Sequence, residues 1–292
     1  MDGQLPDTLT RISSDQLDIT VSDLGAEMQS LVAHGEDYLW HGDPAWWSGR
    51  SPILFPIVGK APGDRVGVDG QEGEMAQHGF ARRMTFARAK AEATRVVHTL
   101  TDTVATRRAY PKPFALTVTH SVSGATLSVS ATVANTGRAP LPFGLGFHPA
   151  FRWPLPGAEG QAHEVTLANR GEPALARLRD GLLDDQRHPS PFRRGRLTLD
   201  PAMFDADAMI FPEGAGTGLS YGADKGPELT FTFDNLPNLA LWQKPGAPFL
   251  CIEPWHGMAA RHGAGPEIAA RPGTCTLAPG DVARFRWSVT VR

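Results

Sequence analysis

Alternation with a period of two dominates the legible parts of this chain. In ATLSVSATVA, Ala125 to Ala134, Leu127, Val129, Ala131 and Val133 point one way and Ser128, Ser130 and Thr132 the other. That is the pattern of a half-buried strand in an antiparallel sheet. FALTVTHSV, Phe114 to Val122, alternates in the same sense, and the turn residues Ser123-Gly124 between the two segments predict a β-hairpin. Further strands are predicted at 17–21, 28–33, 95–101, 228–233, 239–243, 249–253 and 283–292. Helical periodicity is scarce. PALARLRDGLL, 173–183, offers Pro173 for a first turn and leucines at 175, 178 and 182, which predicts one short helix, or a loop with a single helical turn. Strands follow one another without crossover helices, which argues against a parallel α/β sheet. No repeat or linker divides the chain. The expectation is an all-β fold, a single large antiparallel β-sandwich domain over 1–292 with few short helices.

Composition narrows the picture. The 292 residues include 31 Gly and 25 Pro, about a fifth of the chain against a usual ~12%, as many short strands joined by turns require. With 41% hydrophobic and 20% charged residues the chain is too apolar for disorder and can fill a large core. Basic and acidic residues number 28 and 31, a net charge of -3, so neither nucleic acid nor an anionic membrane is expected as a partner. No apolar run approaches the roughly eighteen residues of a membrane helix. The first twenty residues carry acids and no apolar stretch of the secretory type, so a cytoplasmic protein is expected. Cys251 and Cys275 alone build neither a disulfide scaffold nor a Cys-based zinc cluster, and are expected to be free thiols. No histidines fall in HxH or HExxH spacing, so no metal site is expected.

Five segments look unlike ordinary strand or turn: RSPILFPIVGK (50–60), QHGFARR (77–83), FGLGFHPAFRW (143–153), MFDADAMIF (203–211) and CIEPWHG (251–257). Each sets charged or imidazole groups among Gly, Pro, aromatic or other apolar residues, the composition of a small-molecule pocket. Taken in order, together with DLGAEMQSLVAHGEDYLWHGDPAWW near the start, they resemble the aldose 1-epimerase (galactose mutarotase) family over nearly the whole chain.

That resemblance implies a twisted antiparallel β-sandwich with sugar bound in a cleft across one sheet. It implies a cofactor-independent isomerase that interconverts the α and β anomers of an aldohexose. One base takes the proton of the anomeric hydroxyl and one acid protonates the ring oxygen; the ring opens, turns and closes, with acid and base expected on opposite sides of the sugar. Glu253 matches the family's base. It shares its strand face with Phe249 and Cys251, an apolar setting that should raise its pKa. His148 matches the acid, with an imidazole suited to giving and recovering a proton near neutrality. Substrate contacts fall by the same match on Arg50, Gln77, His78, Arg82 and Asp207, with Asp207 favoured over Asp205.

Lys60 stands where many relatives carry Arg, and lysine cannot form the planar bidentate contact. Arg50, Gln77 and Arg82 also match the hexose-6-phosphate 1-epimerase branch, with Arg83 adding charge, so the partner is a sugar or a sugar phosphate. A non-catalytic sugar-binding protein of the same fold is the reading from another class. His120 reads as a core residue, His256 as a neighbour of the site, Arg193 to Arg196 as a solvated loop, and Gly214 to Gly218 as a turn.

Overall fold

The computed structural model describes residues 8–292, and every predicted strand forms in it. The larger sheet has nine strands in the order Arg196–Thr198, His163–Leu167, Gly218–Ala223, Glu228–Asp234, Val282–Val291, Thr126–Asn135, Phe114–Ser123, Arg95–Thr101 and Ala87–Glu92. The predicted hairpin closes with Ser123 opposite Thr126, its turn passing through Gly124 at a φ of 52°.

The second sheet runs Leu182–His188, Leu175–Arg179, Met209–Phe211, Asn238–Trp242, Phe249–His256, Leu145–Phe147 and Ile53–Leu54, with Ala150–Arg152 also paired to Phe249–His256. All its pairings are antiparallel. A four-stranded N-terminal sheet leans on the edge of the larger one, Ser13 donating its N–H to the Ala93 carbonyl.

The two large sheets pack face to face as a β-sandwich. Trp287 and Phe231 of one meet Phe147 and Phe151 of the other, with ring centroids 5.1 Å apart for Phe151 and Phe231. Leu250 and Ile252 join this core. Their odd-numbered neighbours Phe249 and Cys251 pack instead with Trp40, Trp47 and Trp242, while Trp255 packs with Leu54, Ile210 and Ala240. Because side chains alternate along a strand, the second sheet is covered on both faces. Seven of the eight residues of Phe249–His256 are buried, and Glu253 is carried to the face away from the inter-sheet core.

The helix predicted over 173–183 does not form. That stretch is the hairpin Leu175–Arg179 and Leu182–His188, with Arg179 opposite Leu182. Asp180 and Gly181 sit at φ values of 56° and 79°, the two left-handed residues of a type I′ turn, for which Asp-Gly is a preferred pair. Pairing of Ala176 with Ile210 supplies the tertiary context that overrides weak leucine periodicity. Among the described residues the α-helix is Val104–Ala109, closed by a reciprocal capping box between Thr103 and Thr106.

Candidate active site

A cleft of about 390 Å³ opens on the outer face of the eight-stranded sheet, and His148 and Glu253 share its wall. Chain geometry explains their meeting. Leu145–Phe147 and Ala150–Arg152 both pair with Phe249–His256, and His148 lies in the short break between them, its N–H held by the Pro52 carbonyl. Its Nε2 stands 3.3 Å from Glu253 Oε2, with the two side chains 8% and 2% exposed. Trp47 lies against the imidazole at 4.9 Å, and Trp242 and His78 meet it edge-on. Burial, helped by the charge of Arg82, lowers the His148 pKa to about 3. Burial, with the charge of Asp207 adding, holds the Glu253 carboxyl well above the usual carboxylate range. Burial thus disfavours the charged form of each group. They share one wall of the cleft, and the expectation of opposite sides is corrected.

His78 and Gln77 line the same cleft. His78 sits at a φ of 67°, and the following Gly79 at 74°. A Cβ on Gly79 would lie 2.2 Å from the Phe55 carbonyl oxygen, so only glycine lets the chain pass. His78 and Gly59 bond reciprocally: the His78 N–H donates to the Gly59 carbonyl, and the Gly59 N–H donates to His78 Nδ1 at 3.1 Å. An Nδ1 that accepts leaves the proton on Nε2. The Gln77 amide nitrogen stands 3.2 Å from that Nε2; with the proton on His78 Nε2 the amide is turned over, so that its oxygen faces the ring. Burial, then the charges of His148, Arg82, Arg83 and Arg271, keep His78 well below the ordinary histidine range.

Arg82 and Arg83 come from the turn Ala81–Arg83 and both line the cleft. Neither forms an ion pair among the described residues. Arg82 is half-buried, and burial together with Arg83 lowers its pKa. Asp207 lies at the exposed rim with a φ of 66°, its carboxylate accepting from the Ala208 N–H. Arg177 buttresses it by donating to the carbonyls of Asp207, at 2.7 Å, and Met203. Asp205 is exposed and does not line the cleft.

Other sequence assignments fall elsewhere. Arg50 does not line the cleft; its guanidinium donates to the Gln29 carbonyl at 2.7 Å, bracing the strand Met28–Ala33. The signal for Arg50 was its match to the hexose-6-phosphate branch, which fixes a position in the chain and not the direction of the side chain. The Lys60 stem runs over Gly181, where an added Cβ would lie 2.9 Å from its Cδ, also outside the cleft lining. His256 faces the inter-sheet side, its Nδ1–H donating to the Asn235 carbonyl and its ring packing on Phe285. His120 is buried in the larger sheet, its Nδ1 without a hydrogen-bond partner.

Sequence reasoning passed over Trp47, Trp242 and Trp255, which line the cleft, although WW at 46–47 and EPW at 253–255 were visible. It also missed that His148, Cys251 and Glu253 bring one donor atom each within 4.8 Å of one another, since linear spacing cannot detect a cluster assembled across strands. Burial raises the Cys251 thiol and the Glu253 carboxyl alike. In their protonated forms both are poor metal ligands.

Comparison with known proteins gives this geometry a context. The family model for aldose 1-epimerase matches residues 8–262. The plasmid-encoded LacX protein of Lactococcus lactis subsp. lactis is 28% identical, over 96% of this chain and 98% of its own. A galactose mutarotase related enzyme from Lactobacillus acidophilus superposes with a TM-score of 0.92 at 26% identity, covering 98% of this chain and 97% of that one. A galactose mutarotase-like protein from Lactobacillus casei does so with 0.91, again at 26% identity, covering 98% and 100%. The cleft thus lies in a galactose mutarotase-like β-sandwich, and the chain belongs to the aldose 1-epimerase family.

Proposed function

We propose that this protein is a cofactor-independent aldose 1-epimerase acting on an aldohexose in the cytoplasm, with all of its site carried by one domain. Glu253 takes the proton of the anomeric hydroxyl and His148 protonates the ring oxygen; the open chain turns about C1–C2, and the same groups act in reverse. The observation that carries the reading is the buried contact of His148 Nε2 with Glu253 Oε2 at 3.3 Å. The two oxygens to be served hang on a single anomeric carbon, so an acid and a base side by side match them. A neutral imidazole with a protonated carboxyl holds as many protons as an imidazolium with a carboxylate. The pair therefore behaves as one unit with one mobile proton, and hydroxyl groups entering the cleft favour its charge-separated form by solvating it. Trp47 and Trp242 offer flat faces to the apolar face of a pyranose, Asp207 can accept from neighbouring hydroxyls, and His78, Gln77 and Arg82 donate around the ring.

Glu253→Gln preserves shape and removes the base. Catalysed anomer exchange, read by NMR exchange spectroscopy, should fall by about 10²–10⁴-fold while sugar binding persists. Retention of full exchange by that variant would overturn the assignment.

A second reading has its own observation: Arg82 and Arg83 face the cleft without an ion pair, as a site for an anionic substituent would. If the substrate is a hexose 6-phosphate, Arg82→Ala should weaken glucose 6-phosphate far more than glucose, and the difference should shrink with salt. Equal loss for both sugars removes the phosphate reading. Sugar binding by the unaltered protein without any exchange enhancement would leave a binding protein of this fold.

A further inference from the structure

Downstream of the strand Phe249–His256, the chain makes the short turn Ile268–Ala270 and then buries an arginine. Arg271 is 7% exposed, and no carboxylate lies within ion-pair distance among the described residues. Its guanidinium hydrogen-bonds backbone carbonyls. Nη2 donates to the Val58 carbonyl at 2.6 Å and to the Met258 carbonyl at 3.2 Å, and Nη1 donates to the Lys60 carbonyl at 3.2 Å. A buried cation without a counter-ion is unfavourable, and burial lowers this one to about 10, still protonated at neutral pH. The arrangement fixes the geometry of the backbone it grips.

What it imposes is the conformation of Gly59. Two of the three carbonyls flank this residue, and the third belongs to the segment against which it packs: a Cβ on Gly59 would stand 2.6 Å from that of Ala259. Gly59 is itself at the cleft wall, and its N–H is the donor to His78 Nδ1. The chain of contacts runs from a guanidinium, through a fixed peptide, to the tautomer of a cleft histidine.

We infer that Arg271 is a positioning residue: by clamping Val58 to Lys60 against Met258 it aims the Gly59 N–H at His78 Nδ1, so that His78 keeps its proton on Nε2, where a sugar hydroxyl entering the cleft takes over from the Gln77 oxygen as acceptor. The proposal rests on the reading of His78 as a substrate contact and adds how that contact is fixed. Protonating His78 would set an Nδ1–H against the Gly59 N–H, two donors facing one another. The clamp therefore also keeps a second cation away from Arg82 and His148. Lysine cannot replace the fork, since an ammonium reaches the three carbonyls from one point instead of from two nitrogens in a plane.

The test begins with the unaltered protein. Long-range ¹H–¹⁵N correlation spectra of ¹⁵N-histidine-labelled enzyme should show His78 as the Nε2–H tautomer with an unprotonated Nδ1. An Nδ1–H tautomer would overturn the proposal before any variant is made. In Arg271→Met, with the fold verified by its amide spectrum, His78 should become a tautomer mixture and titrate closer to the ordinary histidine range. KM for anomer exchange should rise by about tenfold, the effect of one misplaced hydrogen bond, with kcat changed far less. Arg271→Lys should fold and fall between the two in both readouts, and it carries the test if the Met variant is unstable. A folded variant with an unchanged His78 tautomer overturns the clamp while leaving the epimerase reading intact. A changed tautomer with unchanged KM overturns the link from His78 to the sugar. If the unaltered protein exchanges no anomers, the epimerase reading fails, and the tautomer spectra still decide the clamp.

Discussion

At the scale of single residues, the chemistry follows from where protons sit on buried groups. Burial pushes His148 down and Glu253 up, and both shifts favour the form in which the pair shares one mobile proton. An extra proton arrives only as the pH falls toward 3, the His148 value, and the shared one leaves only well above the ordinary carboxylate range. Activity as kcat/KM should therefore form a broad plateau through neutrality, with an acid limb far below the usual histidine pKa. A limb centred near 6.5 would show instead an imidazole that titrates freely. Backbone placement is equally exacting at Gly79. Alanine there meets the Phe55 carbonyl oxygen at 2.2 Å and must hold a φ of 74°. Gly79→Ala should lower stability by about 1–3 kcal/mol in urea titrations and weaken sugar binding, because His78 and Arg82 flank the strained turn.

Among elements, the second sheet explains why some of the site was legible in the sequence and some was not. Glu253 could be placed because a strand alternates rigidly: with Phe249 and Cys251 on one face, the residue at 253 must follow them, and it does. His148 could be matched through GFHPAF, but its contact with Glu253 depends on two short strands pairing with a third, which no local pattern encodes. Arg50 went astray because a motif fixes the backbone neighbourhood and leaves the direction of a long side chain open. The misread stretch at 173–183 held its own correction in Asp180-Gly181. That turn brings Leu178 to the cleft, and Arg177 from the same strand holds Asp207. Removing its left-handed glycine should be felt at the site. Gly181→Ala would hold a φ of 79° with Lys60 Cδ at 2.9 Å, and is expected to cost about 1–2 kcal/mol of stability. It should also raise KM, which sugar titrations of the folded variant would reveal.

For the whole molecule, the period-two pattern and the wealth of Gly and Pro were sufficient for an all-β sandwich, since each long strand needs one apolar face and each reversal a turn. The titratable groups inside the sandwich were legible only in part: His120 read as a core residue and Glu253 as a raised carboxyl, while nothing local announced the burial of His98. His78, His120 and His148 are all buried and lowered by burial; His98, also lowered by burial, bonds Asp23, which in turn accepts from Arg88. A group whose folded pKa lies below its unfolded value binds fewer protons in the native state. Its stabilising effect is thus present above pH 6.5 and is lost as pH falls toward the folded value. Melting temperature should drop steeply between pH 6.5 and the His120 and His148 values of about 3. His120→Leu should flatten that slope without touching the cleft. Glu253 works in the opposite sense: its raised pKa withdraws stability as pH rises above 4.5 toward its folded value.

The central claim is that the buried His148–Glu253 pair turns over a sugar's anomers. The most direct measurement is NMR exchange spectroscopy of glucose, galactose and glucose 6-phosphate with the unaltered protein and with Glu253→Gln. The account predicts exchange between α and β resonances that grows with protein concentration for at least one of these sugars and vanishes in the variant. Exchange at the uncatalysed rate for every sugar, or equal enhancement by protein and variant, would contradict it.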